Sequence, residues 1–158
     1  MGHVLRARGR RGGDGVGALT RGAAWRRALG YAGALPVSAA AATLAAPLLL
    51  TGARARVEDG VLEVCGGWLR PILARVVPGF PISAITLGHV VLAADARRLV
   101  ETRAHERVHV AQYERWGFLF PLVYLAASAR ALLSGGNAYR DNAFEREAER
   151  RSRAAAAA

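Results

Sequence analysis

The chain contains no lysine, a single cysteine and only four histidines. Because Cys65 has no second cysteine to pair with, an internal disulfide is excluded and the redox compartment stays open. Residues 1–56 hold nine Arg and one Asp, a net charge of +8, whereas residues 57–158 hold thirteen Arg and eleven acids, a net charge of +2. The second part therefore lacks the basic, aromatic-rich face typical of nucleic-acid binding, and we expect no nucleic-acid partner.

The first part of the chain has two segments of different character. Residues 1–27 are rich in Arg and Gly. Such a segment cannot bury enough apolar surface to fold, so we predict a basic disordered tail. Residues 28–53 carry no charge, although Pro36 and Pro47 lie among them. Their length suffices for a membrane span of about 20 residues, so we predict an apolar helix.

Three interpretations of residues 28–53 are open: a membrane anchor, a cleavable signal, or an Ala-rich helix packed on the domain. We favour the single anchor, which the positive-inside rule orients with its Arg-rich N-terminus in the cytoplasm. The basic tail would then add electrostatic attachment to anionic lipid. The alternatives to this membrane-associated location are a cytoplasmic or a secreted protein.

Residues 57–153 have the patterns of one α+β domain, and residues 154–158 those of a frayed tail. Residues 61–65 alternate apolar and polar side chains, as a half-buried strand does. Residues 82–94 are β-branched and apolar, which predicts a bent strand or a tight hairpin about Gly88. We expect a short antiparallel sheet packed on three helices: Ala96–Trp116 after the cap Asp95, residues 118–133, and a last helix from Asp141 or Asn142.

Two of the four histidines lie in the sequence HERVH, at His105 and His109. Four residues apart on a helix, they share one face and can bind one metal ion at about 2.0–2.1 Å. Glu106 lies beside the first histidine and can take a proton from a metal-activated water. The motif therefore predicts a metal site on the helix Ala96–Trp116.

Such a site needs a third protein ligand, and no His or Cys follows His109. Among the downstream carboxylates we favour Glu145, which shares a helix face with Glu149. One of the two can bind the metal while the other accepts a hydrogen bond from a ligand histidine. The alternative for Glu145 is a capping box with Asn142, in which its carboxylate bonds back to the helix start. His89 lies in an apolar strand, and we leave it out of the metal ligands.

Together, HERVH and the later Glu145-Arg146-Glu147-Ala148-Glu149 resemble the motifs of the gluzincin zinc metallopeptidases. The closest likeness is to the membrane-protease branch and to the minigluzincins. That family pairs an HExxH helix with a later ExxAD helix, and Glu149 stands here in place of Asp. The continuation to Gln112 is also similar to short bacterial HExxHxxQ domains. The resemblance covers residues 82–150 and implies a small zincin-like domain that binds Zn²⁺ and hydrolyses peptide bonds.

The resemblance also implies roles for individual residues. Zinc would be held by His105, His109 and Glu145, with Glu106 as general base and Glu149 hydrogen-bonded to a ligand. A peptide or protein substrate would pair with the strand in residues 82–94. The alternative function is a non-catalytic zinc-binding or membrane-tethered interaction domain. The resemblance does not assign the donor that stabilises the transition state, for which the candidates are Tyr139, Tyr124, Arg140 and His89.

Overall fold

The computed structural model describes residues 14–76 and 82–157, which form five α-helices and a four-stranded sheet. The predicted α+β class and the apolar N-terminal helix are confirmed. Short 3₁₀ turns at Ala46–Thr51 and Gly117–Leu119 follow the first helix and precede the fourth. In chain order the elements are α1 Asp14–Ala45, β1 Ala53–Glu58, β2 Val61–Gly66, α2 Leu69–Val76, β3 Ala84–Leu87, β4 Val90–Ala93, α3 Ala96–Trp116, α4 Phe120–Leu133 and α5 Ala143–Ala156.

The two terminal helices are longer than the sequence patterns predict. Helix α1 begins at Asp14, so residues 14–27 are helical in place of the predicted disordered tail, and residues 1–13 lie outside the described part. Extending an existing helix fixes one residue per hydrogen bond gained, which costs far less than nucleating a new one. For the same reason α5 continues to Ala156, into the segment predicted to fray.

The sheet is mixed rather than purely antiparallel. Its strand order is β1-β2-β4-β3, and the neighbours β1–β2 and β3–β4 are antiparallel. The central pair β2–β4 is parallel, and this part of the prediction is wrong. Between these two strands the chain passes through α2 and β3, which provides the long connection that a parallel pair requires. Strand β3 is thereby left at an edge of the sheet.

Both hairpins turn through two residues. Asp59 and Gly60 have φ of 49° and 77°, the left-handed pair that an Asp-Gly turn of type I′ needs. Gly88 has φ of 65° and begins the turn between β3 and β4, so the predicted hairpin is confirmed. Strand β1 is missing from the prediction because its sequence ARARVE is mostly exposed, and its one larger apolar residue, Val57, is itself 72% exposed.

Each face of the sheet is covered by a different layer. Helix α3 packs on one face, where Val61, Val91 and Val110 belong to one apolar cluster. The end of α1, the turn after it and α2 cover the other face, around Val64 and Leu69. Alternate residues of each strand thus contact the two layers. Helix α3 packs on the sheet and also on α1 and α5.

A buried carboxylate also fastens α3 to the sheet. Glu63 on β2 is almost fully buried, with 1% of its surface exposed. It accepts hydrogen bonds from Arg56 on β1 and from Arg103 and Arg107 on α3, at 2.9–3.1 Å. Charge-assisted bonds of this kind offset the cost of burying the carboxylate. Arg103 and Arg107, each two residues before a histidine of HERVH, are therefore structural.

Helix α1 packs along α3 through small residues. A Cβ on Gly30 would lie 2.9 Å from Glu114 Cβ, and one on Gly33 would lie 3.4 Å from the Cα of Gly117. The first distance is a clash and the second an ordinary contact, so Gly30 is the position at which glycine is needed for this close approach. In the described part of the chain, two helical stretches are long and apolar enough to span a membrane, judged by length and composition alone: Ala28–Thr51 and Ala96–Leu133.

Candidate metal centre

Helix α3 presents both histidines of HERVH toward one cleft. The helix starts at the predicted cap, where the Asp95 carboxylate accepts a hydrogen bond from Arg98 N at 2.9 Å. One turn separates His105 from His109, and their Nε2 atoms are 3.1 Å apart. His109 is buried and His105 partly buried. Both rings therefore point the same nitrogen at a common, shielded point.

Helix α5 brings Glu145 to this point. Its Oε2 lies 3.2 Å from His105 Nε2, and its Oε1 lies 3.3 Å from His109 Nε2. Two ligands of a tetrahedral metal ion are about 3.3 Å apart when each bond is about 2.0–2.1 Å, so these separations leave room for one ion between the three side chains. The three side chains are the group in the described chain that could hold a metal ion.

Asn142, and not Glu145, caps helix α5. The Asn142 side chain accepts a hydrogen bond from Phe144 N at 2.8 Å and donates to the carbonyl of Tyr124 at 3.1 Å. The Asn142 N–H donates to the carbonyl of Tyr139 at 3.1 Å, so the reciprocal bond of a capping box is not formed. The carboxylate of Glu145 is thus left to face the histidines.

One oxygen of Glu145 fits a bound cation. The Glu145 side chain is buried, and its Oε2 forms no hydrogen bond with the described residues, despite its closeness to His105. A buried carboxylate oxygen without a donor costs free energy, about 1–3 kcal/mol or more for a charged group. Two imidazoles and a carboxylate are a usual donor set for catalytic zinc. The residues present therefore suit a divalent metal such as zinc.

The electrostatics of the centre favour an ionised Glu145. Burial raises the pKa of this carboxyl group, but the close rings of His105 and His109 and the Tyr124 hydroxyl outweigh burial and hold the pKa well below its usual range. The Tyr124 hydroxyl donates to Glu145 Oε1 at 2.7 Å. Burial, followed by the charge of Glu145, raises the pKa of Tyr124 in turn. Tyr124 is therefore a hydrogen-bond donor that orients the carboxylate.

Gln112 orients the ring of His109. Its amide nitrogen donates to the Phe144 carbonyl at 3.1 Å and to Glu147 Oε2 at 3.0 Å. Its oxygen is therefore the acceptor that faces His109 Nδ1 at 2.8 Å. This bond places the proton on Nδ1 and leaves Nε2 as the metal-binding nitrogen. The sequence reasoning assigned no role to Gln112, although its position one turn after His109 was a usable signal.

Glu106 lies beside the ligands and is held by the edge strand. The Thr86 hydroxyl on β3 donates to Glu106 Oε2 at 2.6 Å. Burial raises the pKa of Glu106, and the Thr86 hydrogen bond only partly offsets this. Thr86 is a second residue that the sequence reasoning missed. No sequence pattern pointed to it, because the contact joins residues 20 positions apart in different elements.

Of the other predicted residues, two lie at the cleft. The Glu149 carboxylate is 3.9 Å from His105 Nδ1, on the side where a ligand histidine carries its proton, but this distance is beyond a hydrogen bond. Tyr139 lines the cleft, and burial, followed by the charge of Glu145, raises its pKa. Both tyrosines near the centre thus interact with Glu145.

The remaining two candidates are not brought to the centre. His89 is buried in a contact between α1 and α3: its ring stacks on Tyr31 at 3.8 Å and its Nε2 lies 3.2 Å from Glu114 Oε1. Arg140 is exposed, and its backbone N–H donates to Asn137 Oδ1. Neither residue lines the cleft. The suggestion that either acts as a transition-state donor therefore has no geometric support.

The centre lies in a cleft of about 990 Å³ that is lined mainly by apolar side chains. Strand β3 forms one wall, α3 forms the floor, and α4 and α5 form the opposite wall. Comparison of the chain with protein-family models, curated proteins and solved structures finds no match. The geometry of the cleft is therefore the basis for a functional proposal.

Proposed function

We propose that the chain is a zinc-dependent peptidase with a small zincin-like fold, similar to the gluzincins in its chemistry. The observation that carries the proposal is the buried Glu145 carboxylate, whose donor-free oxygen faces His105 and whose other oxygen faces His109. Glu106 follows His105 directly in the sequence and lines the same cleft. Ligands and base thus come together from two helices that are distant in sequence.

His105, His109 and Glu145 would hold the metal. When bound, zinc supplies Lewis acidity for the scissile carbonyl and lowers the pKa of water toward about 7. Glu106 accepts the proton of the water that attacks the carbonyl carbon. As the C–N bond breaks, Glu106 returns that proton to the leaving amine. Thr86 and Gln112 keep Glu106 and His109 oriented throughout.

The edge strand supports an extended peptide as the substrate. The Ser83 carbonyl accepts a hydrogen bond from Ala94 N at 2.9 Å. Because inward and outward backbone groups alternate along an antiparallel pair, Ala84 and Thr86 direct theirs to the open edge. A peptide added there would lie along the cleft beside Glu106. The apolar lining favours apolar side chains next to the cleaved bond.

Substitution of Glu106 by Gln separates metal binding from catalysis. We expect the E106Q chain to keep the zinc content of the unmodified chain, because Glu106 is not a ligand, and to lose hydrolysis of a peptide library by about 10²–10⁴-fold. The matched control is E101Q, on the same helix at the exposed end of the cleft, which should keep both. Zinc binding without hydrolysis in the unmodified chain would instead favour a non-catalytic zinc-binding or membrane-tethered domain.

We also propose that the chain is membrane-associated through α1, with its basic N-terminal side in the cytoplasm. Ala34, Ala41 and Ala45 pack α1 on the domain, while Leu35 and Leu44 on its two flanks, and Leu50 in the turn that follows α1, are mostly exposed. Residues 1–27, which precede the apolar segment, hold seven Arg and one Asp, and this net charge of +6 agrees with that orientation. Membrane fractionation tests the proposal, and recovery of all the protein in the soluble fraction would contradict it.

A further inference from the structure

Helix α4 has apolar residues on both its buried and its solvent-facing side, and Arg130 is its one charged residue. Phe120 and Ala131 are buried against the domain. An apolar helix side that is not packed in a core is typical of contact with a membrane. On the opposite side lies a stripe, called here the α4 stripe, in which each side chain is more than half exposed: Phe118, Leu122, Leu125, Leu132 and Leu133.

A basic pocket of about 850 Å³ lies between α4 and α5. Arg130, Arg146 and Arg150 line it, together with the single acid Asp141. Within residues 14–76 and 82–157, none of the three arginines forms an ion pair with a carboxylate. Asp141 is engaged with the backbone N–H of Asn137 at 2.8 Å. The pocket therefore has an uncompensated positive charge suited to an anion.

The α4 stripe lies between this pocket and the candidate active cleft. Successive residues of a helix are rotated by about 100°, so Ala126 and Arg130 fall on one flank of the stripe. Pro121 and Tyr124 fall on the other flank and line the cleft. Leu125 belongs both to the stripe and to the lining of the cleft. One surface thus combines apolar side chains, an anion pocket and the mouth of the cleft.

We propose that the α4 stripe and the basic pocket together bind the surface of an anionic phospholipid bilayer. The leucines enter the boundary of the acyl chains, and the arginines bind lipid phosphate groups, for which the guanidinium fork is well suited. Trp116, 42% exposed at the start of the stripe, is an aromatic residue of the type found at bilayer interfaces. The mouth of the cleft then opens at the membrane surface. This inference needs neither the metal nor hydrolysis.

Vesicle co-sedimentation of the purified full chain tests the head-group contacts. We compare phosphatidylcholine vesicles with and without phosphatidylglycerol. The variant R130Q/R146Q/R150Q should partition onto anionic vesicles on the order of 100-fold more weakly, since three arginines act at the lipid surface. The control R54Q/R70Q/R75Q removes the same charge from β1 and α2 and should bind nearly as the unmodified chain. An equal loss in both variants, or undiminished binding of R130Q/R146Q/R150Q to anionic vesicles, overturns the proposal.

A second measurement separates α4 from any contribution of α1. A polarity-sensitive fluorophore is attached to L132C in a Cys65→Ala background, and to R97C on α3 as the matched control. Anionic vesicles should shift the emission of the Leu132 probe to the blue and leave the Arg97 probe unchanged. If the chain sediments with vesicles while the Leu132 probe stays in water, α4 does not contact lipid and the proposal is wrong.

Discussion

Two buried glutamates meet helix α3 from other elements, and their surroundings differ. Glu63 on β2 accepts four hydrogen bonds from Arg56, Arg103 and Arg107, so both of its oxygens are satisfied by cations of the chain. Glu145 on α5 meets two imidazoles and two tyrosines, and its Oε2 is a buried oxygen without a hydrogen-bond donor among the described residues.

This difference distinguishes a carboxylate with a structural role, Glu63, from one that is suited to bind a metal, Glu145. A buried charge needs compensation, and a fixed guanidinium group provides it permanently. An imidazole ring provides it only while the ring is protonated, so with neutral rings the same negative charge is available to a metal cation. The comparison predicts that Glu63 matters for folding whether or not metal is present, whereas Glu145 matters chiefly for metal binding.

The largest effect is expected at Glu63. Substitution E63A leaves three arginines without their shared carboxylate, and removing one partner of a buried ion pair costs about 3–5 kcal/mol of unfolding free energy. Urea denaturation with a chelator present measures this without any contribution from metal. The control is E58Q, whose side chain is 40% exposed and which should cost less than about 1 kcal/mol. Similar losses in both variants would contradict the structural assignment of Glu63.

Next in size is the effect of Glu145 on zinc affinity. Substitution E145Q removes a proposed ligand. Removal of the hydrogen-bonding partner of a ligand lowers zinc affinity about 10–100-fold, and we expect a larger loss here. In the metal-free chain, E145Q should lower the unfolding free energy much less than E63A does, because E145Q removes an oxygen that has no donor. The control E149Q, at 3.9 Å from His105, should change affinity only slightly. A loss of affinity as large in E149Q would make Glu149 the ligand instead.

A smaller effect on affinity is expected at Gln112. Substitution Q112L removes the acceptor of the His109 Nδ1–H bond, so zinc affinity should fall about 10–100-fold. Glu147→Gln is the matched control, because Glu147 accepts a hydrogen bond from the Gln112 amide nitrogen but does not contact His109. A competition titration with a chromophoric chelator measures both. Unchanged affinity in Q112L would show that the ring of His109 is oriented by packing alone.

The smallest effect concerns Thr86 and depends on the proposed peptidase activity. Substitution T86V keeps the shape of the side chain and removes the hydroxyl that donates to Glu106 Oε2. We expect unchanged zinc content and a kcat lower by about tenfold, since a hydrogen bond to an ionised carboxylate contributes at least about 1.5 kcal/mol. T86S restores the hydroxyl and should recover most of kcat. Failure of T86S to recover activity would indicate a packing effect rather than orientation of the base.

Local patterns predicted much of the helix that carries the site. The bounds Ala96–Trp116, the Asp95 cap and the hairpin at Gly88 follow from turn and capping chemistry within a few residues, and all are confirmed. The mixed sheet and strand β1 could not be predicted in this way. Their pairing is decided by contacts between distant segments, and β1 is an exposed edge strand with little apolar signal.

The candidate site shows the same limit. Spacing placed His105 and His109 on one face, but left Glu145 with two roles, as ligand or as cap. Only the hydrogen bonds of Asn142 distinguish them, and these depend on how α5 meets α4. Gln112 belongs to the HExxHxxQ pattern, which names the residue but not its bond to His109, whereas Thr86 contacts Glu106 from another element and belongs to no short motif. His89 has the right chemistry, but the fold places it against α1.

The most direct test of the metal centre is the zinc X-ray absorption spectrum of the purified full chain with one equivalent of zinc. We predict two imidazole nitrogens and carboxylate oxygen at about 2.0–2.2 Å, with loss of the ordered imidazole shell in H109A. A sulfur shell at about 2.3 Å, which would come from Cys65, or a spectrum of hydrated zinc with oxygen neighbours alone, would contradict it.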